Sequence, residues 1–170
     1  MLCSYYSRGE DSSSQFDSLK IAKSPSYKKH LNQYNVIFIN MSLEFNSARY
    51  DVNQMISSIT SSIVKELKEA YPQVVFNSPD KLYESLDDVF SDSKVPFVFI
   101  IDEWDRIMRE KKEDAQSLKL YLEWLEGIFK DQSYIALAYM TGILPIKKYG
   151  NQSALNLSLI HISEPTRQEA

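Results

Sequence analysis

Apolar residues fall into three short compact runs, at 36–41, 96–101 and 134–140, separated by stretches in which they recur every three or four positions. Runs such as Val-Ile-Phe-Ile and Phe-Val-Phe-Ile-Ile, rich in β-branched and aromatic residues and lacking alternation, suit strands buried on both faces, as in a parallel sheet. Between the first two runs, Val52, Met55, Ile56, Ile59, Ile63, Leu67 and Ala70 trace one helical stripe, with Ser57, Ser58, Ser61 and Ser62 mostly off it and Pro72 as its stop. A second helix is expected from Ser78-Pro79-Asp80, a cap, a first-position proline and a first-turn acid, with Leu82, Tyr83, Leu86, Val89 and Phe90 as its stripe. A third carries Leu118, Tyr121, Leu122, Leu125, Ile128 and Phe129 on one face and the pair Leu120 and Trp124 on another. At the start, 1–7 reads as the last turns of a helix, 7–14 as a polar loop, and 26–34 as a short helix opened by Pro25.

The order strand, two helices, strand, helix, strand argues an α/β fold with a parallel sheet sandwiched between helices. Strands 36–41, 96–101 and 134–140 are expected side by side. In such sheets ligands bind beyond the carboxyl ends of the strands, so the residues just after each run carry the functional question. With 170 residues and no internal repeat, one domain is expected. The net charge of −4 argues against a domain whose main task is gripping nucleic-acid backbone. One cysteine excludes an intramolecular disulfide and a cysteine-based zinc site. The longest apolar run is far below the ~20 residues of a membrane span, and the N-terminus lacks the basic-then-apolar pattern of a signal peptide. A cytoplasmic setting is the expectation.

Asp102-Glu103 directly follows the second apolar run. A buried strand that delivers two adjacent carboxylates to the sheet edge is the Walker B pattern of ATPases. The first carboxylate supports Mg2+ and the second orients and deprotonates the attacking water. The bland alternative is that Asp102 or Asp105 only caps the helix that follows. Thr141, at the end of the third run, occupies the place where many such ATPases hold a polar sensor; alternatively it is a turn residue before Gly142.

Three strings carry a more specific resemblance: Tyr-Tyr-Ser-Arg-Gly at 5–9, Phe-Ile-Ile-Asp-Glu-Trp-Asp at 99–105, and Ala-Leu-Ala-Tyr-Met-Thr-Gly-Ile-Leu-Pro-Ile-Lys-Lys-Tyr-Gly-Asn at 136–151. Over residues 1–156 the chain resembles the AAA-ATPase-like family of bacterial proteins, P-loop ATPase modules usually joined to a domain similar to PD-(D/E)xK nucleases. The resemblance implies a three-layer P-loop NTPase fold of the AAA (ASCE) type, ATP and Mg2+ as ligands, Asp102 as the Mg2+ residue, Glu103 as the catalytic base and Thr141 as the sensor. It also implies strand 96–101 in the middle of the sheet and the Walker A strand against the other edge of 134–140.

The family pattern is incomplete in this chain. No Gly-x-x-x-x-Gly-Lys-Ser/Thr string occurs, so the expectation is a partial module lacking the Walker A strand, with no cofactor-binding loop of its own and no ATPase activity in isolation. Nucleic acid is expected as a partner only through the nuclease-like domain. Residues 157–170 depart from the family; 157–167 resemble a translated transposase-adapter peptide, and the segment is expected to be a non-native tail in which His161 carries no chemistry. The competing function is a non-catalytic α/β scaffold or signalling domain. Among other residues, Cys3 is expected buried, His30 with Lys28 and Lys29 on a solvated helix face, and Lys147-Lys148 solvated. Arg106 and Arg109 read either as arginine fingers or as exposed charges.

Overall fold

A computed structural model describes residues 1–143. The expected tail at 157–170, its boundary at 156, His161 and Lys147-Lys148 lie outside the described residues. Helix α1 (Leu2–Tyr6) leads into α2 (Ser13–Phe16), a 3-10 turn (Lys20–Lys23) and α3 (Tyr27–His30). Strand β1 (Asn35–Asn40) follows, then α4 (Met41–Ser47), α5 (Val52–Ala70) and α6 (Leu82–Ser93). Strand β2 (Phe97–Asp102), helices α7 (Arg106–Glu110) and α8 (Ala115–Phe129), and strand β3 (Ile135–Met140) complete the order.

The three strands form one parallel sheet in the order β1-β2-β3, with β2 in the middle as expected. Asn40 lies level with Asp102 and Ile101 with Met140, so the three carboxyl ends share one edge. Ile37, Ile39, Phe97, Phe99 and Ile101 join one hydrophobic core with residues of α4 to α8. The Phe99 and Phe129 rings meet edge to face at 5.1 Å and fix α8 on the sheet. Val36, Phe38, Val98 and Ile100 lie on the opposite face of the pleat, outside that core. Helix α1 packs against β1 and β2, and its Tyr5 joins a separate small core with Phe16 and Tyr27. Among the described residues the shared core is thus one helical layer on a sheet, where a layer on each face was expected.

Several local readings need correction. Strand β1 is not buried on both faces: Phe38 is 56% exposed, because β1 is an edge strand. The polar stretch after Ser7 contains a helical turn, α2, where Phe16 supplies the apolar anchor. Pro79 does not open α6. Residues 78–81 form a turn closed by Lys81 N–H to the Ser78 carbonyl at 3.0 Å, and the helix starts at Leu82. Helix α4 was not foreseen, because its seven residues offer only Met41 and Phe45 as buried anchors, too few to show a period. In α5, Val64 and Thr60 are buried and Ala70 is exposed, so the stripe is broader in the middle and ends a turn earlier. Cys3 is half-buried. His30 is half-buried too, because its Nδ1 bonds the Tyr34 hydroxyl at 2.6 Å and its ring stacks on that tyrosine.

Candidate active site at the strand ends

The carboxyl ends of all three strands converge on Asp102. Asn40, the last residue of β1, donates from Nδ2 to Asp102 Oδ2 at 3.3 Å. Thr141, just after β3, donates from its hydroxyl to Asp102 Oδ1. The middle strand therefore presents its carboxylate between a donor from each neighbour. Asn40 has a second task. Its amide oxygen accepts the Leu43 N–H at 3.0 Å and so caps α4. An amide suits the position because it offers an acceptor to the helix and a donor to the carboxylate at once.

Glu103 leaves the strand in the left-handed backbone region, at φ 53°. Non-glycine residues adopt this region rarely, and it persists only where the surroundings enforce it. The enforcement is visible in the next residue. Trp104 is buried, its N–H donates to the Thr141 carbonyl at 3.0 Å, and its own carbonyl accepts the Tyr121 hydroxyl at 2.6 Å. Helix α8 and strand β3 together pin the turn. The Glu103 carboxylate then accepts a hydrogen bond from the Ser42 hydroxyl in the first turn of α4. Burial pushes the Tyr121 hydroxyl far above the usual tyrosine range, so it stays a donor.

Asp102, Glu103 and Thr141 are thus brought together at one edge, as the strand register requires. Sequence reasoning missed Asn40 and Ser42. The signal for Asn40 was its place as the one polar residue within the first apolar run, near its carboxyl end. Nothing in the pattern marked Ser42. The capping alternative finds no support for these side chains. Asp105, not Asp102, holds the position before α7, and its side chain makes no capping bond there. Asp105 is fully buried instead, accepts the Ile143 N–H at 3.1 Å and pairs with Arg109 at 3.2 Å. Gly142 sits against this pair. A Cβ there would come within 2.7 Å of Asp105 Oδ1 and 2.8 Å of the Trp104 indole. Arg106 pairs with Glu110 at 3.1 Å, and both arginine side chains are about three-quarters buried, at 25% and 23% exposure. Neither is the freely exposed charge of the solvated-helix reading.

Among the described residues no group of three or more His, Cys, Asp or Glu side chains could hold a metal. A Mg2+ of the nucleotide type does not need such a cage, since it takes one or two carboxylates, several waters and phosphate oxygens. Asp102, half-buried at the sheet edge and surrounded by neutral donors, fits that requirement. No helix among the described residues is long and apolar enough to cross a membrane.

No curated protein and no solved structure matches the chain. One family model does, over residues 1–151, and its description is "Predicted AAA-ATPase". That span holds every described element, the three strands and the carboxylate pair included. The chain belongs to the AAA-ATPase-like family.

Proposed function

We propose that the strand ends form the hydrolytic half of an ATP site, of the Walker B and sensor kind, in a partial P-loop NTPase module. The observation that carries this reading is the convergence on Asp102: a carboxylate at the end of the central parallel strand, held by Asn40 and Thr141 from both neighbours, with a second carboxylate next in sequence. Asp102 would hold Mg2+ through its coordinated waters. The metal would supply charge neutralisation for the leaving phosphates. Glu103 would accept the proton of the attacking water, and Ser42 holds its carboxylate in place. Thr141 would orient the same water or a γ-phosphate oxygen through its hydroxyl.

Phosphate binding in P-loop enzymes comes mainly from loop amides and the loop lysine. No such loop is encoded in these residues. The chain alone is therefore expected to show no micromolar affinity for ATP with Mg2+ in a calorimetric titration. Micromolar binding would mean that another part of the chain cradles the phosphates, and would overturn the half-site reading. A scaffold without chemistry would need neither adjacent carboxylates at the central strand end nor a strained residue at Glu103, so the catalytic reading is preferred.

A further inference from the structure

We propose that the outer edge of β1 is a docking groove for an extended peptide segment of a partner protein, added to the sheet parallel to β1 and carrying basic residues on one face. The proposal goes beyond the nucleotide site and stands whether or not that site hydrolyses ATP. In β1 the Asn35 N–H bonds the Pro96 carbonyl at 3.1 Å, on the β2 side. Parallel ladders alternate, so Asn35, Ile37 and Ile39 face β2, while Val36 and Phe38 turn their N–H and C=O groups outward. The next outward residue, Tyr34, already has a parallel partner. Its N–H donates to the Tyr6 carbonyl at 2.9 Å and its carbonyl accepts the Arg8 N–H at 3.0 Å. The chain then turns away at Gly9, so among the described residues an added strand is begun at Ser7 and left open beside Val36 and Phe38.

Edge strands are normally protected by Lys, Pro or inward charges. The stretch Val-Ile-Phe-Ile at 36–39 has none. The open edge lies in a groove of about 520 Å3 whose α5 wall includes Ile63, Glu66 and Ala70, with Glu44 at the carboxyl end of the strand. Arg8 marks the end where Ser7 already pairs. Two carboxylates along the open part select a basic side chain on the α5 side. Phe38, 56% exposed on the opposite face of the pleat, selects an apolar one there. Alternating basic and apolar residues match both walls, as strand addition requires.

The test titrates the 170-residue chain with a capped heptapeptide alternating Lys and Val, read by amide NMR. Saturable shifts centred on Val36, Phe38 and Glu66 are expected. In parallel register the residues facing α5 also turn their N–H groups toward β1. N-methylating the lysines should therefore weaken binding about tenfold or more, while N-methylating the valines should leave it unchanged. Replacing Lys by Glu should abolish it. Val36→Pro removes an outward N–H that β2 does not use, so it should abolish binding without shifting the thermal midpoint. The methylated peptides decide the question on the parent chain if that variant fails to fold. Equal affinity of the two methylated peptides, shifts elsewhere, or no saturable binding at millimolar peptide would overturn the proposal. So would a concentration-dependent dimer that Val36→Pro dissolves, which would put a second copy of the chain on the edge.

Discussion

Asn40 does two jobs with one amide, and the two can be separated by substitution. Asn40→Ala removes the α4 cap and one Asp102 donor, and an expected loss of about 1 kcal/mol from the cap alone is measurable by urea denaturation. Asn40→Asp keeps the cap acceptor but puts a carboxylate where a donor stood, 3.3 Å from Asp102 Oδ2. Like charges raise the folded-state pKa of the pair above its unfolded value. The folded state then binds protons more readily than the unfolded one, so the variant gains stability relative to its parent as pH falls from neutrality. Thermal midpoints that diverge further at acid pH would contradict the shared site. Gly142→Ala places a methyl group 2.7 Å from Asp105 Oδ1, and overpacking of this kind costs about 1–3 kcal/mol. A melting curve unchanged from the parent would show that the Trp104–Asp105 corner yields freely.

Among the elements, α8 ties its own stability to the site turn. Tyr121→Phe leaves the shape of the core but strands the buried Trp104 carbonyl, at an expected loss of about 1–3 kcal/mol, and it loosens the turn that holds Glu103 at φ 53°. The start of α8 carries a pH dependence. The Ser117 hydroxyl and then its backbone N–H hold the Asp114 carboxyl below the usual aspartate range. A depressed carboxyl contributes its stability above the unfolded value and loses it as pH falls through the folded one. Exchange at the Ser117 amide should therefore accelerate below the ordinary aspartate range, and the acceleration should vanish in Asp114→Asn.

The strands, α5 and α8 were legible because each carries a long, consistent apolar pattern. The strand ends were legible because parallel sheets bring their ligands there. The failures were local. Ser78-Pro79-Asp80 has the chemistry of a helix start, but the chain spends it on a turn one step earlier. The exposure of Phe38 follows from β1 being at an edge, a fact of topology that four apolar residues in a row do not encode. Ser42 reaches Glu103 only because α4 begins at once after β1, and that short helix leaves no periodic trace.

At the level of the whole molecule, a parallel sheet, a carboxylate pair at its central strand end and membership of the AAA-ATPase-like family are what the proposed nucleotide hydrolysis rests on. The most direct measurement is ATP turnover and ATP binding in a family member that carries a phosphate loop, with the residue aligned to Glu103 changed to glutamine. The amide keeps the shape and loses the base. The account predicts that binding of ATP with Mg2+ persists while hydrolysis falls by about a hundredfold or more. Hydrolysis at the parent rate would contradict it.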